Sequence, residues 1–279
     1  MSAPRTRAAG EAALGLALLA PLVREWFETA SASSRLSYAL LVPALALVLA
    51  WRARGAGSRA VERGGGLEPA FALAAAAALV LGALTGVFTL ALLALPLALV
   101  AWTARWLGSG GVRRFAPSLV LLFAIVPPPM PLLDRVNPFL IQASGATAVT
   151  LLRPLDGGAS WLGSTLAYRG WELRVAEACS GSGTFLCLGV LCAFLAGLFR
   201  LRPLAALVLV ASSFPLTLLV NGVRIASSAL VIDRFGVEAA QGLAHELLGQ
   251  AVVLAGAALL ALAVERLSAR PVRTTEAAA

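Results

Sequence analysis

The chain has 279 residues, of which 59% are hydrophobic and 13% charged, and its mean hydropathy is +0.88. A soluble domain cannot hide that much apolar surface, so the composition excludes one and indicates a polytopic membrane protein. The net charge of +8 comes from arginines scattered between apolar runs, which fits membrane topology and not the continuous basic stripe of a nucleic-acid binder.

A helix needs about 20 apolar residues to cross the hydrocarbon core. Eight predicted spans follow in chain order: 12–23, 38–51, 70–85, 87–104, 115–133, 179–199, 204–220 and 245–264, the first two short. Residues 12–23 resemble the apolar stretch of a signal peptide, but the run ends in Arg24-Glu25 without a clear cleavage site and is read as a span. Pro127-Pro128-Pro129 stops or kinks the fifth span. With the N-terminus in the cytoplasm, 14 of the 22 arginines and 5 of the 14 acidic residues fall inside, a net +9 against −1 outside. Arginine bias in short loops sets orientation, so both termini are expected inside.

The longest outer segment is 134–178. Its stretch from Asn137 to Leu152 is mildly apolar and is read as an interfacial or re-entrant helix, and 153–163, with its Pro, Asp and paired Gly, as loop. Trp171, Leu173 and Val175 alternate with Glu172 and Arg174 after the turn pair Arg169-Gly170, which predicts a hairpin leading to Cys179. The fold class expected is therefore an all-α polytopic membrane protein of about eight transmembrane helices, with a small extracytoplasmic hairpin or loop segment before the cysteine. Three cysteines cannot all pair, and Cys187 and Cys192 lie too far round one helix to bridge, so no disulfide framework is expected.

On this topology Cys179, Arg224 and His245, the sole histidine, all fall at the outer edge of three consecutive spans. Each has an ordinary explanation taken alone. Cys179 could be a small buried helix residue, Arg224 a headgroup anchor and His245 an interfacial side chain. Together they are a nucleophile, a cation for an oxyanion and a proton carrier, the parts of an acyl-transfer site. A thiol at a helix N-terminus faces the positive end of the dipole, which favours the thiolate. One histidine and one accessible cysteine are too few ligands for zinc, and no metal or cofactor is expected.

The sequence Glu177-Ala178-Cys179-Ser180-Gly181, then Asn221-x-x-Arg224, then His245-x-x-x-Gly249, resembles the exosortase/archaeosortase family over roughly residues 115–268. The resemblance implies a multispan cysteine transpeptidase that cleaves C-terminal sorting signals of exported proteins. Such a signal has a short, often Pro-Glu-Pro-like motif, a transmembrane helix and a basic cluster. It implies Cys179 as nucleophile, Arg224 as oxyanion-side cation and His245 as acid/base, with Glu177, Ser180, Asn221 and Gly249 in support. The division expected is 1–110 for N-terminal membrane spans, 111–268 for the catalytic membrane core and 269–279 for a polar cytoplasmic tail. The location implied is the bacterial inner membrane, with the active site on the extracytoplasmic face and lipid and exported proteins as partners. Two other readings stay open from the residues: a non-enzymatic transporter or polysaccharide-export subunit, and a membrane thiol acyltransferase acting on lipid.

Overall fold

A computed structural model of the protein describes residues 3–55, 66–156, 158–174, 181–240 and 242–268, with backbone only at 3–14, 16, 156, 240, 242–248 and 267–268. Helices α1 (Ala3–Ala32), α2 (Val42–Ala53), α3 (Leu67–Thr85), α4 (Phe88–Leu92), α5 (Ala94–Leu122) and α6 (Met130–Asp156) are followed by strands β1 (Ser160–Leu162), β2 (Thr165–Tyr168) and β3 (Trp171–Arg174). Helices α7 (Ser182–Leu198), α8 (Pro203–Phe235) and α9 (Gly242–Ser268) complete the order. The chain divides into two compact units, Met1–Asp134 and Arg135–Ala279.

Among the described residues four helical stretches are long and apolar enough to cross a membrane: Leu67–Thr85, Phe88–Ile125, Pro203–Phe235 and Gly249–Arg266. Two shorter apolar ones are Ser37–Ala53 and Ser182–Leu198. Their outward faces carry large apolar side chains, such as Leu73 and Leu84 on α3 and Leu204 and Leu207 on α8. No water-soluble surface would leave so many uncovered, and lipid covers them in a multi-pass membrane protein.

In the first unit, α5 holds the expected spans 87–104 and 115–133 in part, and they meet without a loop. The backbone leaves helical geometry at Gly108 (φ 66°, ψ −173°), a conformation open to glycine alone, and this breaks the run into two helices. Arg105 pairs with Glu68 at 2.7 Å, and Arg114 Nε donates to the Ala53 carbonyl at 2.7 Å. The first half of α5 is thereby tied to the N-terminal turn of α3, and the second half to the C-terminal end of α2. Ser118 Oγ donates to the Ala46 carbonyl at 2.7 Å, which sets α2 antiparallel to the second half of α5. That half ends in a 3-10 turn at Phe123–Ile125. Val126, ahead of Pro127, is extended (ψ 111°), as the proline ring demands.

The second unit is built on α8, and three details differ from the sequence expectation. The predicted loop from Arg153 starts later, because α6 runs on to Asp156. Pro154 suits a helical φ and forfeits one backbone bond there. Residues Ser160–Leu162, expected as loop, form β1 and pair with β2, giving a three-stranded antiparallel sheet in the order β1-β2-β3. Trp161 brings β1 to α6, donating from Nε1 to Gln142 Oε1 at 2.9 Å. Thirdly, α8 does not end at Val220 but continues unbroken to Phe235.

Strands β2 and β3 pair across Arg169-Gly170, both at positive φ (47° and 84°), the geometry of a tight hairpin turn. The unfavourable φ at Arg169 is offset by its guanidinium, which pairs with Asp233 of α8 at 2.7 Å. Leu166 and Tyr168 point inward from β2 onto Ala148, Val149 and Leu152 of α6 and Ile225, Ala226 and Ala229 of α8. The sheet therefore caps the C-terminal third of α8. That helix is about 50 Å long at ~1.5 Å per residue, well beyond the ~30 Å of a hydrocarbon core.

Candidate active site

Helix α8 presents a buried polar stripe. Ser213, Thr217 and Asn221 recur every four residues and are 2%, 0% and 1% exposed. Arg224 and Ser228 continue it. The hydroxyls are satisfied within the helix: Ser213 and Thr217 donate to the carbonyls of Val210 and Ser213 at 2.6 and 2.7 Å, and Ser228 to that of Arg224 at 3.0 Å. A helix buried in an apolar setting has to satisfy its hydroxyls this way.

Helices α7 and α9 run antiparallel to α8 on two of its sides. For α7 the contacts descend from Gly181 against Asn221, through Gly189 against Ser213, to Cys192 and Leu195 beside Leu209. For α9 they descend from Gly249 against Arg224, through Gly256 against Val220, to Val264 near Leu209. The N-terminus of α7 and the early turns of α9 thus lie at the level of Asn221 and Arg224.

Two glycines make those contacts possible. Gly181 caps α7 in the left-handed region (φ 88°), and a Cβ there would stand 3.1 Å from Asn221 Nδ2 and 3.7 Å from Thr217 Cγ2. Asn221 therefore lies against the backbone two residues after Cys179. A Cβ at Gly249 would stand 2.7 Å from Arg224 Nε and 2.8 Å from Cζ. The half-buried Arg224 guanidinium lies flat against the bare backbone of α9 at a point one turn after His245.

Of the residues picked out by sequence, Asn221, Arg224 and Gly249 are brought together at one level. Position 245 is helical, within the second turn of α9, and its side chain lies outside the described residues. Glu177, Cys179 and Ser180 also lie outside them. All seven belong by number to the unit Arg135–Ala279. The electrostatics of the described part are uniform in sign. The positive end of the α7 dipole and the Arg224 guanidinium both bear on this level, and both favour an anion there.

Sequence reasoning missed the contribution of α6. This helix runs parallel to α8, with Phe139 stacked on Phe214 at 5.9 Å, Thr147 and the Ser144 carbonyl against Gly222, and Ala148 beside Ile225. Phe185 of α7 meets the same Phe214 ring edge-on at 6.0 Å. A signal was present: Asn137, Leu140, Ser144, Ala148 and Leu152 recur at three- and four-residue spacing, the mark of a helix with one buried face.

The transmembrane exosortase family matches residues 26–262. The chain belongs to that family. The match begins well before the cysteine, arginine and histidine motifs and takes in the helices from the end of α1 onward. No curated protein and no solved structure matches the chain. Exosortase membership suggests a membrane transpeptidase, the family being generally one of cysteine transpeptidases.

Proposed function

We propose that this exosortase-family chain cleaves the C-terminal sorting signal of exported proteins by acyl transfer to Cys179, at the outer face of a bacterial inner membrane. One observation carries the reading. Asn221 lies against Gly181 at the start of α7, and Arg224 lies against Gly249 of α9, so a single turn of α8 meets the two backbone segments that follow the cysteine and histidine motifs in sequence. The eight-span topology with both ends inside fits the same arrangement. From Pro203 to Val220 α8 rises about 27 Å, close to the hydrocarbon thickness, which brings Asn221 and Arg224 to its far edge.

The substrate's apolar tail enters among the spans with its basic end on the cytoplasmic side. Cys179 thiolate attacks the scissile carbonyl, and Arg224 stabilises the tetrahedral oxyanion. Collapse expels the amine, protonated by His245, and leaves a thioester on Cys179. His245 then deprotonates an incoming amine or water, which attacks the thioester and frees the thiol. The test is co-expression with a reporter protein ending in a Pro-Glu-Pro-like motif, an apolar helix and a basic cluster. A reporter shortened at the motif only when the chain is present is the expected result. A full-length reporter in both cases would overturn the reading.

Gly249→Ala tests the Arg224 contact. The added methyl meets only the far end of a flexible side chain, and Ala is a better helix former than Gly by ~1 kcal/mol, so Tm is expected to hold or rise. The guanidinium has to move, and a displacement of about 1 Å at a reacting centre can cost roughly 10²-fold in rate. Unchanged processing by a stable Gly249→Ala protein would show that the position of Arg224 does not matter.

A further inference from the structure

The buried face of α6 contains two polar atoms that have no partner among the described residues. Asn137 is 8% exposed and Ser144 0%, and among the described residues neither Asn137 Oδ1 nor Ser144 Oγ has a hydrogen-bond partner. They share their face with Leu140, Ala148 and Leu152, residues that pack without any such cost. A bare amide oxygen and a bare hydroxyl inside a membrane protein are expensive, and leucine and alanine would serve packing better.

Their location is specific. Ser144 lies against Gly222, between Asn221 and Arg224 in sequence along α8. Asn137 lies two turns earlier on the same face, about 10 Å further toward the apolar half of α8 at ~1.5 Å per residue. The two groups therefore mark a line that starts at the level of Arg224 and descends into the apolar part of the bundle. An extended peptide advances ~3.3 Å per residue, so a line of about 10 Å accommodates three residues.

We infer that this face of α6 is the docking wall for the extended segment of substrate next to the scissile bond. The inference rests on the acyl-transfer reading above. A peptide drawn into extended form at membrane depth loses the water that satisfied its N–H and C=O groups, and has no helix to replace it. Asn137 Oδ1 accepts from a substrate N–H, and the Ser144 hydroxyl donates to a substrate carbonyl. Both groups are buried, so docking requires α6 to part from α8 at this level. Asn137 and Ser144 bind and position substrate; neither touches the reacting atoms.

The test uses the purified full-length chain in liposomes and the tailed reporter described above. Asn137→Leu keeps the branched shape and removes the polarity. Its expected result is an unchanged or higher Tm together with a KM raised about 10-fold, the equivalent of one hydrogen bond of ~1.4 kcal/mol, and a kcat that moves little. Ser144→Ala is expected to move KM in the same direction without loss of Tm. A packing role predicts instead that Tm and rate fall together, and that result overturns the inference, as does an unchanged KM. A second measurement covers a variant that fails to fold. A photoreactive side chain at position 137, in a chain also carrying Cys179→Ala, is expected to cross-link the reporter polypeptide. Cross-linking to lipid alone overturns the inference. Wild-type processing by Cys179→Ala itself would sink the acyl-transfer reading, whereas loss of processing there with an unchanged KM in Asn137→Leu sinks the docking wall alone.

Discussion

Cys179→Ala is expected to abolish processing and leave the full-length reporter in the membrane. Removing a catalytic nucleophile costs on the order of 10⁶-fold in kcat in proteases that form acyl-enzymes, so no shortened product should accumulate on the timescale of expression. Cys179→Ser is expected to be nearly as damaging. A serine hydroxyl lacks the acidity that lets a thiol supply its own anion beside a helix N-terminus. The other two cysteines make the experiment cleaner. Cys192 is fully enclosed in α7 and Cys187 lies along the same helix, so a membrane-impermeant thiol reagent should label Cys179 alone. Processing by Cys179→Ala at the wild-type rate would remove the thiol mechanism. A peptide trapped on Cys179 supports sorting-signal cleavage, whereas a fatty acyl chain in its place would move the chain to lipid acyl transfer.

The second large effect separates Arg224 from His245. An oxyanion donor is typically worth ~2.7–4 kcal/mol, or about 10²–10³-fold in kcat. Arg224→Ala is expected to lose that much, and Arg224→Lys almost as much. Lysine keeps the charge, but its ammonium lacks the planar fork that lies against the bare backbone at Gly249. If Arg224 served only as a headgroup anchor, lysine would substitute well, since either side chain can reach the interface. His245→Gln is expected to fail for a different reason. Glutamine forms hydrogen bonds but cannot carry a proton near neutral pH, and general acid–base catalysis contributes about 10²–10⁴-fold. Full activity in both Arg224→Lys and His245→Gln, read from reporter processing, would dissolve the constellation.

Much of this was open to inspection in the linear chain because the information is local. Apolar runs, arginines between them and a lone histidine at a run's edge are visible residue by residue. So is the alternation from Trp171 to Arg174 behind the Arg169-Gly170 turn, which the fold contains as β3 and the β2–β3 connection. The motif order of cysteine, arginine and histidine likewise needed no structure to be noticed. What could not be seen locally depends on a second backbone. Asn221-Gly222 looked like the end of a span, yet α8 passes through it, because the missing Cβ of Gly222 is filled by Thr147 and Ser144 of α6. Residues Ser160–Leu162 carried no strand signal of their own and became β1 through pairing with β2 and the bond from Trp161 to Gln142.

Taken by itself, the sequence determined that this protein lives in a membrane, that it belongs with the exosortases, and which few polar residues were worth watching. Hydrophobicity and charge are properties of single side chains, so summing them along the chain is enough. Only the tertiary structure decided that Gly181 and Gly249 are the two points at which α7 and α9 meet Asn221 and Arg224, and that α6 buries two polar atoms without a partner among the described residues. Close approach of helices depends on which atoms are absent from both surfaces at once, and a chain read in one dimension does not record which of its glycines will face a partner.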